Sequence, residues 1–302
     1  METEQTAFTT ANPETELTPT PQEPKKTQGW LNVLKFIIPY LIFVAVFQLL
    51  GMLIAGVDIM HMKEMNQTPL QMTIVSVFSL AGTLLVIWLF MRYIDKKPFV
   101  SLGFSKQFML RDILLGILVG IVLMLTGFGL LLAMGELSIE SIQFSFSNFL
   151  LNLLLFICVA VTEEVMTRGY ILSNLMASMN KFIALAISAL IFSLLHLANP
   201  NVTFLSLSNI FMAGVILGIP YIINRRLWFP IALHLSWNFM QGPVLGYRVS
   251  GLGTTSIIST QYPTESIWNG GTFGFEGSLP SLILLIVASV GMYFYYRKKE
   301  AQ

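Results

Sequence analysis

The stretch that decides the fold is 149–170, which reads FLLNLLLFICVAVTEEVMTRGY. Its first part, 149–161, is apolar except for one asparagine, as is typical of a segment buried in a membrane. Three charged side chains follow directly, Glu163, Glu164 and Arg168. At membrane depth each such charge costs about 2.5 to 3.5 kcal/mol on insertion scales, and it is usually paired, placed in a cavity or functional. The sequence therefore predicts a polar site within the membrane.

The geometry of an α-helix separates the two glutamates. At about 100° per residue, Glu164 and Arg168 lie about 40° apart, on one face, and are predicted to form an ion pair. Glu163 lies about 140° from Arg168, so its own helix supplies no partner. Glu163 is therefore the candidate reactive group. The alternative is that all three residues only tie helices together through buried polar contacts.

The composition of the chain points to a membrane protein with several spans. Of its 302 residues, 55% are hydrophobic and 11% are charged, which is more apolar than a soluble domain of this size. The formal net charge of +1 and the lack of basic blocks away from predicted membrane boundaries give no support for nucleic-acid binding. The single cysteine, Cys158, excludes an intrachain disulfide and is predicted to be a small buried hydrophobe.

We predict an all-α fold, a polytopic membrane bundle of about eight transmembrane helices. Residues 1–29 lack an apolar run and are predicted to be a disordered cytoplasmic tail, and 30–302 form the transmembrane domain. If the spans alternate, the basic loops fall on one side, which predicts both termini in the cytoplasm, with the plasma membrane as the expected location. The loop 246–278, rich in Gly, Ser and Thr, then lies on the other side. The predicted spans are 34–54, 70–90, 113–134, 149–169, 182–197, 204–223, 229–244 and 279–296.

Two further pairs of residues share the spacing of one helical turn. Phe192 and His196 are four apart on the fifth span, and His234 and Asn238 are four apart on the seventh. These two spans are short, which suits helices that line a cavity. The third histidine, His61, lies in a predicted loop and is left out. Together with the glutamates, these groups predict one buried polar site in a core of about 145–245.

At this point the sequence resembles the CAAX-protease and bacteriocin-processing family of intramembrane endopeptidases. The family motifs are Glu-Glu-x-x-x-Arg, Phe-x-x-x-His and His-x-x-x-Asn. Here they read EEVMTR at 163–168, FSLLH at 192–196 and HLSWN at 234–238. The resemblance implies a peptidase that acts on a membrane-embedded peptide or a lipidated protein in the lipid bilayer.

The resemblance also implies a role for each motif residue. Peptide hydrolysis requires an activated water, a proton carrier and donors that face the oxyanion. Glu163 would be the general base and His196 would hold the water, while His234 and Asn238 would stabilise the oxyanion. Three residues would support the site without reacting: Glu164, Arg168 and Phe192.

Two questions stay open at this stage. The first is a metal, because Glu163, His196 and His234 could hold a catalytic zinc with an open fourth position. We expect no metal requirement, because a zinc-bound histidine prefers a carboxylate behind it and Glu164 is predicted to be committed to Arg168. The second is a non-catalytic membrane protein, either an immunity or regulatory partner or a transporter-like binder. Pro220 and Pro230 flank the sixth and seventh spans and keep the transporter-like alternative open, because transporters often have Gly- or Pro-broken half-helices around their site.

Overall fold

The fold is a bundle of apolar helices. A computed structural model of the chain describes residues 28–58 and 67–300; the predicted tail, apart from its last two residues, and His61 lie outside these ranges. A π-helical turn, Val165–Leu172, joins α4 to α5. The helices are α1 Gly29–Ile54, α2 Pro69–Phe90, α3 Met109–Ala133, α4 Phe146–Glu164, α5 Ser173–Met176, α6 Lys181–Leu195, α7 Phe204–Asn224, α8 Trp228–Phe239 and α9 Leu279–Glu300.

Each predicted span coincides with one helix of the described part of the chain. The fold class is therefore confirmed: this is a polytopic helical membrane bundle. Six helices in the described ranges are long and apolar enough to cross a membrane, whereas α6 and α8 have 15 and 12 residues. The fourth span continues through α5 and covers Phe146–Met176. The two short helices carry the second and third motifs.

The connections lie at two opposite ends of the bundle. At one end Arg226, just before α8, forms an ion pair with the buried Asp112 in the first turn of α3. At the other end the strand β1 (Ser138–Ile142), which follows α3, pairs antiparallel with β2 (Ile258–Gln261). Arg226 and the loop 246–278 thus lie at opposite ends, as the predicted alternation of the spans requires. The assignment of the basic end to the cytoplasm stays a prediction.

Glycines bring α3 very close to α8. A Cβ on Gly116 would lie 2.6 Å from the carbonyl oxygen of Phe229, and a Cβ on Gly120 would lie 2.0 Å from Oγ of Ser236. Two small residues four apart are a common way for membrane helices to approach closely. His234 lies about 200° around α8 from Ser236. The contact with α3 is therefore on the face of α8 opposite His234, and it orients His234 towards the inside of the bundle.

The second short helix is held in the same way. On α7 a Cβ on Gly214 would lie 2.9 Å from Cα of Ala189, and a Cβ on Gly218 would lie 2.3 Å from Cδ1 of Leu185. Ala189 and Leu185 belong to α6. Each short motif helix is therefore packed against a long helix that carries a Gly-x-x-x-Gly pattern.

We expect Gly116→Ala to destabilise the protein by about 1 to 3 kcal/mol, the usual cost of overpacking, because the new methyl group meets the backbone of α8. Gly129 on the same helix is the matched control, since a Cβ there meets nothing within 4 Å. Gly129→Ala should be neutral, or stabilising by up to about 1 kcal/mol. Unfolding midpoints in detergent would check this. Equal midpoints for the two variants would contradict the packing argument.

Candidate active site

The Glu164–Arg168 pair lies fully inside the bundle. Nη1 of Arg168 donates to Oε1 of Glu164 at 2.8 Å, and neither side chain is more than 1% exposed. The same guanidinium donates to Oγ1 of Thr167 at 2.7 Å and to the carbonyl oxygen of Gly214 at 3.1 Å. Its carbon lies 4.6 Å from the ring centre of Phe192, a cation–π distance. Arg168 therefore links α4 to both α6 and α7.

Glu164 also binds the histidine of α8. Nδ1 of His234 lies 2.8 Å from Oε1 of Glu164, the oxygen that Arg168 already contacts. The expectation that Glu164 is committed to Arg168 alone is therefore wrong, because reasoning from spacing within one helix leaves out a partner on another. An ionised carboxylate only accepts hydrogen bonds, so Nδ1 of His234 carries the hydrogen of this contact.

Glu163 occupies a different environment from its neighbour. Its side chain is 26% exposed, against 0% for Glu164. Its Oε2 lies 3.7 Å from Nε2 of His234, which is close enough for an ion pair but too far for a direct hydrogen bond. The structure thus has one glutamate enclosed by two cationic or polar partners and one that opens into a cavity.

His196 lies just beyond the last residue of α6. Its Nδ1 is 2.8 Å from the carbonyl oxygen of Phe192, one of the carbonyl groups that the end of a helix leaves without a backbone partner. A carbonyl only accepts, so Nδ1 donates, and the described residues give Nε2 no hydrogen-bond partner. The ring of Phe192 lies between the histidines, with its centre 4.9 Å from that of His196 and 6.2 Å from that of His234.

Asn238 lies one turn beyond His234 on α8 and is buried. The described part of the chain gives its side chain no hydrogen-bond partner, and the side chain borders the cavity. Between these two residues Trp237 is also buried, and its Nε1 donates to Oε1 of Glu276 at 3.1 Å. Reasoning from sequence missed Glu276, because nothing in a loop sequence shows which helix its side chain will reach.

The predicted site residues Glu163, Phe192, His196, His234 and Asn238 line one cavity of about 480 Å³. A cavity of this size holds a ligand of a few residues. Another part of the cavity wall was not predicted from the sequence. It includes polar residues in otherwise apolar spans, and those polar residues are the signal from which this part of the wall could have been predicted. These residues are Tyr40 and Gln48 on α1 and Ser76 and Ser79 on α2.

Comparison with known protein families gives one match. Residues 145–240 match the family model of the type II CAAX prenyl endopeptidase Rce1-like proteins. This region of the chain is therefore similar to the CAAX-protease family. The match covers α4 to α8 and all three motifs, and it confirms the resemblance seen in the sequence. Searches of curated proteins and of solved structures gave no significant match.

The match to the CAAX-protease family indicates peptidase as the class of activity for this site. The family match covers neither α1 to α3 nor the loop 246–278. The polar wall of α1 and α2 and the carboxylate of Glu276 therefore belong to parts of the cavity that the match does not describe. Features of the cavity that are specific to this protein are expected in these parts.

The side chains of the site do not have the ligand geometry of a metal centre. Within residues 28–58 and 67–300 no group of three or more His, Cys, Asp and Glu side chains is spaced to hold an ion. The two histidines are nevertheless oriented as metal ligands often are, each through Nδ1, one by Glu164 and one by the Phe192 carbonyl. The argument that no carboxylate stands behind a histidine thus fails for His234. The described side chains fall short of a three-ligand set.

We expect Glu164→Ala to lower the yield of folded protein sharply, because it leaves Arg168 and His234 buried without their shared acceptor. Breaking a buried pair typically costs about 3 to 5 kcal/mol. Glu163→Ala is the matched control, since that neighbouring side chain opens into the cavity. Abundance in membranes and unfolding in detergent would be measured for both variants.

A double variant separates the charge from the packing. Replacing Arg168 with Met in the Glu164→Ala protein removes the stranded cation, so part of the lost stability should return. If Glu164→Ala is as abundant and stable as Glu163→Ala, the shared carboxylate does not hold the bundle together.

Proposed function

We propose that this protein is an intramembrane endopeptidase that cleaves a membrane-associated peptide or a lipidated protein with water activated by Glu163 and His196. The observation that carries the proposal is the shared cavity: Glu163, His196, His234 and Asn238 come from three separate elements and all border it. The CAAX-protease match supports the peptidase class. The substrate and the mechanism are our inference from the geometry.

Glu163 is suited to the role of general base. It opens into the cavity, while Glu164 takes the contacts to Arg168. In the neutral ring of His196, Nδ1 donates to the Phe192 carbonyl, so Nε2 can accept a hydrogen bond from the same water. Glu163 takes one proton from the water while the oxygen of that water bonds to the scissile carbonyl carbon. The protonated Glu163 then gives that proton to the departing amide nitrogen as the C–N bond breaks.

His234 and Asn238 would face the oxyanion. Since Nδ1 of His234 donates to Glu164, Nε2 donates to substrate only when the ring carries both hydrogens. In that state the charges of Glu163, Glu164, Arg168 and His234 sum to zero, which lowers the cost of keeping them within the membrane. The amide of Asn238 can donate in any protonation state. Two donors thus face the carbonyl oxygen as it gains charge.

The cavity indicates how the substrate would arrive. Its walls are the helices of a bundle that spans the lipid bilayer, and most of the side chains that line it are apolar. A peptide precursor of the bacteriocin type and a prenylated protein both fit this description. We place the basic end of the bundle in the cytoplasm and the protein in the plasma membrane. Cleavage assays on membrane-anchored peptides with and without a prenyl group would distinguish the two substrate classes.

The structure gives no specific support to the transporter-like alternative. A binder of that kind would be expected to have broken half-helices around its site. Pro220 lies inside α7, which continues through it to Asn224, and Pro230 lies in the first turn of α8. Neither proline breaks a helix at the cavity. A non-catalytic immunity or regulatory partner would have the same fold, so it is judged by the activity of the variants below.

We expect Glu163→Gln to abolish cleavage, because the amide cannot accept the proton from water. Asn238→Ala should retain measurable activity, since losing one oxyanion donor costs about 10² to 10³ in rate. The exposed Glu140 in β1 is the control, and Glu140→Gln should cleave like the unaltered protein. Rates would be measured on a membrane-anchored peptide in lipid nanodiscs. Full activity in a well-folded Glu163→Gln protein would end the proposed mechanism.

We also expect cleavage to survive a strong chelator, because the described donors do not form a three-ligand set. The purified protein would be assayed before and after chelation, and bound zinc would be measured directly. Should chelation remove activity and one equivalent of zinc restore it, Glu163, His196 and His234 become ligands. The general base would then have to be sought elsewhere in the cavity.

A further inference from the structure

A second carboxylate besides Glu163 borders the cavity, that of Glu276. Glu276 is 8% exposed, and each of its oxygens is hydrogen-bonded. Oε1 accepts from Nε1 of Trp237 at 3.1 Å, and Oε2 accepts from the backbone nitrogen and the hydroxyl of Ser250 at 2.9 and 2.7 Å. The donors are neutral, and no ion pair of the described residues includes it. It therefore acts as a fixed acceptor between two segments.

The contacts continue from Ser250 to the end of α6. Nδ2 of Asn199 donates to the carbonyl oxygen of Ser250 at 3.0 Å. The backbone nitrogen of Asn199 donates to the carbonyl oxygen of His196, also at 3.0 Å. Consecutive hydrogen bonds therefore connect the turn that holds His196 with Trp237. All four side chains of the connection, Asn199, Ser250, Glu276 and Trp237, border the cavity.

Trp237 is the position on α8 that makes this connection relevant to the site. It lies between His234 and Asn238 in the third motif. A displacement of its indole would therefore shift the proposed oxyanion donors relative to His196. The helices involved are short, and His196 lies beyond the end of α6, so the turn that carries it needs support from outside the helix.

We propose that Glu276 is a positioning residue that, with Ser250 and Asn199, sets the distance between His196 and the pair His234 and Asn238 during cleavage. This inference rests on the proposed function. A carboxylate suits the task because its two oxygens accept from two segments at once, and hydrogen bonds to an ionised acceptor are stronger than neutral ones. The loop 246–278, outside the family match, thereby becomes part of the working site.

The first test compares two hydrogen bonds of the same loop. Trp237→Phe keeps a large aromatic ring and removes only the N–H donor to Glu276. Ser266→Ala removes a hydroxyl that donates to Oε2 of Glu136 at 2.7 Å, and neither of those residues borders the cavity. We expect kcat of the Trp237→Phe protein to fall by about 10-fold to 100-fold with KM unchanged, as misplaced catalytic groups produce. Ser266→Ala should keep both constants.

A double-mutant cycle tests whether Trp237 acts through Glu276. Glu276→Gln leaves one acceptor oxygen and turns an amide NH₂ towards a donor, so kcat should fall to a similar degree. Because both changes break one connection, the double variant should be no slower than Glu276→Gln alone. All proteins would be full-length, in nanodiscs, with unfolding midpoints measured alongside.

The outcomes are distinct. Three results would each overturn the positioning role while the unaltered protein and Ser266→Ala still cleave. The first is a double variant whose loss of kcat is the product of the two single losses. The others are an unchanged kcat in Trp237→Phe and a loss of activity explained entirely by less folded protein. If neither of these two proteins cleaves any membrane-anchored peptide, the proposed function fails, and the positioning role fails with it.

Discussion

The site depends on one oxygen atom, Oε1 of Glu164, which accepts from Arg168 and from His234 at 2.8 Å each. The other oxygen, Oε2, is buried without a donor among the described residues, so both contacts fall on one side of the carboxylate. Through these contacts α4 is joined to α8, and Arg168 extends the link to α7 at Gly214. In a low-dielectric interior, removing Glu164 or Arg168 leaves the other charge uncompensated. The helices that carry the motifs are thus held by one charge-balanced cluster.

This cluster explains why two adjacent glutamates have different properties. Glu164 is enclosed by its partners, and the turn of the helix carries Glu163 round to the cavity. Elementary helix geometry predicts that division, because it concerns residues on a single element. Geometry within one helix cannot predict that His234, 70 residues further along the chain, shares the carboxylate. That contact depends on how α8 packs.

The same contrast runs through the rest of the comparison between sequence and structure. Hydropathy located every long helix, because burial in lipid imposes a length and a composition on each segment. The sequence analysis did not identify Gly116 and Gly120 as a contact surface, because only the structure shows that α8 packs against them. Glu276 gave no signal, since a hydrogen bond from a loop to a distant indole has no local signature. Local rules identified the elements, and tertiary packing brought the polar groups together.

The shortness of α8 also has a consequence for biosynthesis. At about 1.5 Å per residue, its 12 residues extend roughly 18 Å, well short of the 30 Å or so of a bilayer's hydrocarbon, so the helix gains its place only against neighbours made earlier. Translation supplies Glu163 first, then His196 and last His234. A nascent chain that ends before His234 lacks one of these polar groups and cannot hydrolyse a peptide bond by the route proposed here.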